Sequence, residues 1–450
     1  MTQPLSPDTP EPEQIPADPS ANPSVETPTE SAAHPSPLAQ GGETTVQDPT
    51  NSVSGDTEPI VMPPYHEMPI YQPATFFITT AARDSSNSRR FRALAYELVR
   101  RGHDVVLIID ELGKGHTPDA GAPPITQYVW KKPQPNNLRD MLYLRELILK
   151  HEPDCVMGSF SATNTMIVVG TLMGVRRRIA WHRTLSTQQE LDQKLPLWRI
   201  RVNNIRKRLF FGMSSAVLTI SQAGKADLRT VFDVPEPKIH IFYNGLDDPF
   251  EREEVREAAA NRAAGRIVCV GRFHRSKGQD VLIRALALLK QGEDAPDFHA
   301  VFVGDGIFRQ YCEDLVAELG LQDRVRFEGA VRSPDALRWM ATGEISVVPS
   351  LHEALGNVNI ESMAVGTPLI TSAVDGMLDI VRDGETGILV PPGDADALAN
   401  ALRDLLRDPD KRRALGEAGR AHYLEHFELS KQVGIQADWL EAFVARKRKA

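Results

Sequence analysis

From Ala74 onward, short runs of β-branched and aromatic residues alternate with longer stretches in which apolar residues recur every three or four positions. Short continuous apolar runs suit strands covered on both faces and the longer period suits helices laid over them, so the pattern predicts an α/β fold with parallel sheets. Ala74-Thr75-Phe76-Phe77-Ile78 reads as a first strand. Phe91, Leu94, Ala95, Leu98 and Val99 form the apolar stripe of the helix after it, Gly102 supplies its stop, and 105–109 is the next strand. An amphipathic helix at 138–150 runs into a strand at 154–157, further apolar runs follow at 178–181 and 216–220, and this half ends near Asn244-Gly245. Residues 246–264, charged and Ala-rich, carry no strand signal and predict a helical or loose linker. A second series then repeats the grammar: strand 266–270, helix 281–289, strand 299–303, helix 309–319, strand 345–349, and a helix from about Gly356. Two Rossmann-like domains in tandem, 74–245 and 265–425, are therefore expected, with a ligand in the cleft at the carboxyl ends of their strands.

The first 73 residues stand apart. They hold 16 of the 33 prolines, 11 acidic residues and no Lys or Arg. Such a segment buries too little surface to offset its chain entropy, and it is expected to be a disordered tail outside the fold. Removing its acids from the net charge of −9 leaves +2 for the remainder, so the acidic balance says nothing about what the folded part binds. No run reaches the ~18 apolar residues of a membrane span, and the N-terminus lacks the layout of a signal peptide, which points to a cytoplasmic chain. Cys155, Cys269 and Cys312 lie far apart without a C-x-x-C pair, against a disulfide framework or structural zinc site.

The stretch from Val348 to Pro368 carries the most chemistry. It leaves a strand and opens a helix, so the free N–H groups around Leu355, Gly356, Asn357 and Val358 make an anion site fit for a diphosphate. Glu353 belongs to the loop before the helix and Glu361 is expected two turns into it, which sets the two carboxylates on different parts of an elongated ligand rather than as the close pair of a retaining glycosidase. Arg272, Arg275 and Lys277 follow a strand, and cations converging on a pyrophosphate stabilise charge growing on a leaving group. His182 follows the end of a strand and should face the cleft. Gly304-Asp305-Gly306-Ile307-Phe308-Arg309 lacks the third glycine of a dinucleotide fingerprint, and there is no P-loop or His-Glu-x-x-His.

The Glu353-x7-Glu361 element, set between a strand ending Pro349-Ser350 and Met363-Ala364-x-Gly366-Thr367-Pro368, resembles the retaining GT-B glycosyltransferases of the large family 4. The resemblance covers 74–450. Gly271-Arg272-Phe273-His274-Arg275-Ser276-Lys277-Gly278 is similar to the loop in which that family grips the donor diphosphate, and Val303-Gly304-Asp305-Gly306 to the next strand-turn. Ser221, Asn244-Gly245-Leu246-Asp247, Asp375-Gly376 and 383–391 fall in the family's order. The resemblance implies a GT-B fold whose C-terminal helix, 426–450 with Trp439 and the basic run from Arg446 to Lys449, crosses back to the first domain. It also implies a retaining, metal-independent, hexosyltransferase-type reaction with a nucleotide-diphosphate sugar as co-substrate and no further cofactor. Arg272 and Lys277 would hold the diphosphate, Glu353 the hydroxyls of the transferred sugar, Glu361 the ribose, and His182 the sugar or the acceptor. Gly271, Gly304, Gly306, Leu355, Gly356, Asn357 and Val358 would complete the donor site. The first-strand loop departs from the family: Arg83-Asp84-Ser85-Ser86-Asn87-Ser88 replaces a common Gly-Gly, so close backbone approach to a ligand is not expected to carry over. The alternatives are a non-catalytic sugar-nucleotide or glycan-binding scaffold and a nucleotide-sugar epimerase on the same fold.

Between Arg176 and Phe211 there are ten Lys or Arg against two acids, interleaved with Trp198, Ile200, Ile205, Leu209 and Phe210. A contact of 197–211 with an anionic membrane fits this, as would an enzyme at the inner membrane face acting on a lipid-linked or envelope glycan. An ordinary helix packing Trp198 and Phe210 on its own core fits equally. Nucleic acid is not expected, since no binding module surrounds the patch.

Overall fold

The computed structural model describes residues 72–80, 86–109, 122–130, 135, 137–158, 162–187, 196–292 and 295–445. The Pro-rich tail through 71, residues 83–85 of the expected first-strand loop 83–88, and the basic run 446–449 lie outside the described residues, whereas 86–88 open the first helix instead of belonging to the loop.

Two all-parallel sheets carry the fold. The first has seven strands in the order β3-β2-β1-β4-β5-β6-β7: β1 (Thr75–Thr80), β2 (Asp104–Ile109), β3 (Thr126–Val129), β4 (Cys155–Gly158), β5 (Arg177–His182), β6 (Ala216–Thr219) and β7 (Ile239–Ile241). The second has six, in the order β10-β9-β8-β11-β12-β13: β8 (Arg266–Val270), β9 (His299–Val303), β10 (Val325–Gly329), β11 (Ile345–Val348), β12 (Leu369–Ser372) and β13 (Ile388–Val390). Strand order reverses at β1/β4 and at β8/β11, which is where a doubly wound sheet opens a crevice. The central strands are near-continuous apolar runs because helices cover both faces: Phe76, Phe77, Ile78, Leu107 and Ile108 are at most 1% exposed.

The linker contains a helix, Glu253–Ala260, with Val255 as its buried residue. The last helix, Leu429–Ala445, packs on the helix Ser86–Arg100 of the first domain. Arg101 reaches Asp438 at 2.5 Å and Glu441 at 2.9 Å, His103 Nε2 lies 2.9 Å from Glu441, and Trp439 packs edge-on against Phe242 at 5.3 Å between ring centres. Cys155, Cys269 and Cys312 are free and buried.

Candidate functional site

A cavity of about 740 Å³ lies where the carboxyl ends of β5, β8 and β11 converge. Its wall on the second sheet is made by the two loops at the β8/β11 switch point. After β8, Arg272 lines the cavity and a short 3₁₀ turn, Arg275–Lys277, aims Lys277 inward; His274 caps that turn by accepting from the Ser276 amide. After β11, Glu353 forms an ion pair with Lys277, and Asp375 accepts from the Glu353 amide at 3.1 Å, fixing the loop. Gly356, at φ +87°, turns the chain into the helix Asn357–Ala364, and Leu355, Gly356, Asn357 and Val358 line the cavity at that helix's N-terminus. Unpaired N–H groups and the positive end of the helix face the same space as Arg272 and Lys277, an arrangement suited to a polyanion.

The opposite wall comes from the first sheet. His182, the last residue of β5, is 4% exposed, and its Nε2 lies 2.8 Å from Asp227 Oδ2. Asp227 also accepts from the Ser186 amide and hydroxyl, and Phe211 and Phe232 meet the imidazole edge-on at 5.7 and 5.3 Å. Burial pushes His182 below its ordinary range although Asp227 pulls the other way. Burial would raise Asp227, but the bonds from His182 and Ser186 hold it below the usual carboxylate value. The imidazole is thus neutral with Nε2–H donating to Asp227, a tautomer inferred from that partner, and Nδ1 is left as an acceptor. Arg183, Arg206 and Lys207 line the same wall. Among the described lining residues five are Lys or Arg and one, Glu353, is a carboxylate, so the cavity favours an anion. Among the described residues no His, Cys, Asp and Glu side chains cluster closely enough to hold a metal ion.

Arg272, Lys277, Glu353, His182 and the 355–358 segment are therefore brought together, but other expected site residues are placed elsewhere. Gly271, Gly304 and Gly306 do not line the cavity. A Cβ on Gly304 would stand 2.0 Å from the Gly271 carbonyl oxygen, and one on Gly306 2.2 Å from that of Phe273. These glycines, with φ of +142° and +156°, let two loops touch and so seat the segment that carries Arg272. Glu361 is the fifth residue of its helix, one turn in rather than two, because the helix begins at Asn357. It faces a separate small cavity with Arg90, Asn244 and Asn357, where burial, opposed by Arg89, raises its carboxyl to about 7. Asp227 and Arg90 were not legible as site residues: each meets its partner only through the folding of distant segments, and no local motif marks it. Ser221 has a local role as well, since its hydroxyl caps the helix Gln222–Thr230 by accepting from the Gly224 amide at 3.0 Å.

Trp198 does not pack on a core. On the helix Leu197–Met213, Trp198, Val202, Ile205 and Leu209 are 55–64% exposed, four and three residues apart on one face, while Phe211 is the buried aromatic. Arg199, which stacks 5.2 Å from the Trp198 ring, is exposed, as are Arg201, Arg206 and Arg208.

Comparison with known proteins matches residues 88–249 to the family model described as Glycosyltransferase Family 4 and residues 251–422 to that of Glycosyl transferases group 1. The chain is 31% identical over 302 residues to a GDP-mannose-dependent alpha-(1-6)-phosphatidylinositol monomannoside mannosyltransferase of Mycolicibacterium smegmatis, covering 63% of this chain and 75% of that one. An uncharacterised glycosyltransferase of Methanocaldococcus jannaschii is 32% identical over 205 residues, 43% of this chain and 52% of its own. The chain thus spans about half the length of the first curated relatives it matches. A protein of Anabaena crystallised with UDP and glucose superposes with a TM-score of 0.62 at 19% identity, covering 82% of this chain and all of that one, and shares the GT-B fold. With both lobes matched by family models and the two sheets arranged as in GT-B structures, the chain belongs to the group 1, family 4 type of glycosyltransferases.

Proposed function

We propose that the protein is a retaining glycosyltransferase that moves a sugar from a nucleotide-diphosphate donor to an acceptor hydroxyl. The observation that carries this reading is the two-walled cavity, with Arg272, Lys277 and a helix N-terminus on one side and a neutral, oriented His182 on the other. The cations and backbone N–H groups bind the diphosphate and stabilise the charge that develops on it as the sugar–phosphate bond breaks. Glu353 takes hydroxyls of the sugar, and His182 accepts a hydrogen bond from the sugar or the acceptor through Nδ1. The acceptor oxygen bonds to the anomeric carbon on the face the phosphate leaves, and its proton passes to the departing phosphate, so no enzyme nucleophile is needed. Glu361 takes the ribose hydroxyls, from the small cavity beside Asn244 and Asn357. The mannosyltransferase relative is named for GDP-mannose and a phosphatidylinositol mannoside, and the Anabaena protein was crystallised with UDP; both are chemically compatible with this site.

No described helix is long and apolar enough to cross a membrane. The exposed stripe of Trp198, Val202, Ile205 and Leu209, flanked by exposed arginines, supports peripheral contact with anionic lipid at the inner membrane face and hence a lipid-linked or envelope glycan acceptor.

The test is a thermal-shift screen of the purified protein against UDP, GDP, ADP and their sugar conjugates, followed by an assay of free nucleoside diphosphate with and without acceptor. A melting shift with one base and diphosphate release that requires acceptor are expected. No shift with any of them favours a glycan-binding scaffold, a shift without diphosphate release favours a sugar-nucleotide-binding one, and sugar interconversion without release favours the epimerase.

A further inference from the structure

Arg90 is a cation in an improbable place. It lies on the helix Ser86–Arg100 and is 1% exposed, with its guanidinium 4.4 Å above the Trp181 ring. Its Nη1 donates to Asn244 Oδ1, while its Nε and Nη2 have no hydrogen-bond partner. Among the described residues no carboxylate pairs with it. Burial, and then the neighbouring Arg183 charge, pushes Arg90 well below its ordinary pKa. Arg183 donates to the same Asn244 Oδ1, through Nη2 at 2.9 Å. One amide oxygen thus serves two guanidinium groups, a costly arrangement that apolar packing would avoid.

What the arrangement provides is polarity. Guanidinium groups only donate, so Asn244 must turn Oδ1 toward them and Nδ2 away. Nδ2 donates to Asn357 Oδ1 at 2.6 Å, across the boundary between the two lobes. Asn357, with its oxygen turned toward the Asn244 amide, has its NH₂ group on the other side, and that group can only donate. Asn357 is the first residue of the helix beside Arg272 and Lys277 and lines the main cavity. Without the arginines both amides could flip, and an amide oxygen would then face the phosphates.

We infer that Arg90, with Arg183, is a positioning residue which acts through Asn244 to hold the Asn357 side chain as a hydrogen-bond donor toward the donor diphosphate. The inference rests on the glycosyltransferase reading of the cavity. The relay runs from the first lobe to the second, so it also makes diphosphate affinity depend on the two lobes being in register.

Asn244→Asp separates this role from a structural one. The aspartate accepts from both buried cations at least as well as the amide does, but it cannot donate to Asn357. Dissociation constants for UDP, GDP and ADP are measured by calorimetry, with melting temperatures recorded in parallel. The expected result is a melting temperature no lower than wild type and a dissociation constant raised about tenfold or more for the diphosphate that wild type binds. Asn357→Asp, which leaves Arg90, Arg183 and Asn244 in place, should weaken the same diphosphate similarly. Arg90→Lys, still donor-only, should stay within a few-fold of wild type, whereas Arg90→Met should not. An unchanged dissociation constant in folded Asn244→Asp and Asn357→Asp overturns the relay while leaving the cavity's function standing. Absence of binding by wild type to all three diphosphates overturns the function itself, and the relay with it.

Discussion

The His182 Nε2 lies 2.8 Å from Asp227 Oδ2, and this one carboxylate, on the helix that follows β6, orients the only imidazole among the described residues that line the cavity. Both groups sit below their ordinary pKa values, His182 through burial and Asp227 through its hydrogen bonds against the pull of burial. As pH falls through the ordinary histidine value, the unfolded imidazole takes up a proton and the folded one does not, so the contribution of His182 to stability falls from neutral toward pH 5.5. Asp227 contributes stability above its unfolded pKa, which is lost only as pH falls further, through its folded value. Because Glu361 gains stability over the same window, the His182 part is read as a difference: on going from pH 7.5 to 5.5, the urea-unfolding stability of wild type should change less favourably than that of His182→Gln. Asp227→Ala should cost roughly 1–3 kcal/mol at pH 7.5 by stranding the buried ring; an unaltered urea midpoint would exclude this role.

Lys277 and Glu353 pair with each other on the second-sheet wall of the cavity. Lys277→Ala should lower kcat/KM by about 10²–10³, the usual effect of removing one group that stabilises developing charge, while the melting temperature moves little. Glu353→Gln releases Lys277, so nucleoside diphosphate should bind a few-fold more tightly while turnover falls. Steady-state kinetics and calorimetry on the two variants check both outcomes.

Glu361 titrates at about 7, raised by burial despite Arg89. Its folded pKa exceeds the unfolded one, so the neutral form favours folding below about pH 4.5 and that advantage is lost as pH rises through 7. Glu361→Gln should therefore be the more stable protein at pH 8.5, by roughly 1–3 kcal/mol, and lose the advantage at pH 5. Chemical denaturation at the two pH values tests the sign.

A methyl group on Gly306 would meet the Phe273 carbonyl at 2.2 Å, and its φ of +156° disfavours a side chain as well. Gly306→Ala should destabilise the second lobe by about 1–3 kcal/mol and, by shifting the 271–273 segment, weaken diphosphate binding through Arg272. Equal melting temperature and affinity in the variant would show that the two loops need not touch.

Replacing Trp198 and Leu209 together with Ser removes two exposed apolar residues from one helix face. Cosedimentation with phosphatidylglycerol vesicles should drop several-fold at unchanged melting temperature, while binding of nucleoside diphosphate stays as in wild type. Equal cosedimentation would rule out that face as the lipid contact.

Much of the fold was legible because it rests on local periodicity. The apolar runs at 266–270 and 299–303 coincide with β8 and β9, and the stripe from Phe91 to Val99 lies within the helix Ser86–Arg100. Short edge strands were not: β3 reads Thr-Gln-Tyr-Val with two exposed residues, and β13 has three residues, too few for any period to register. The site divided similarly. Arg272, Lys277, Glu353 and the 355–358 turn come from two segments whose strand-then-loop pattern already places them at strand ends. Gly304 and Gly306 look like ligand contacts in a motif, yet the space they spare is taken by the protein's own backbone.

By itself the sequence determined the alternation of strands and helices, the two-lobed plan and the family, since each rests on local spacing and on the order in which such local patterns follow one another along the chain. Tertiary structure alone decided which groups face which. The chain from Arg90 through Asn244 to Asn357 joins residues 154 and 113 positions apart. Hydrogen-bond polarity at the cavity is set by that convergence, and no local pattern encodes it. The exposure of Trp198 is of the same kind: the helix pattern marks an apolar face, but only the packed lobe determines whether another surface covers it.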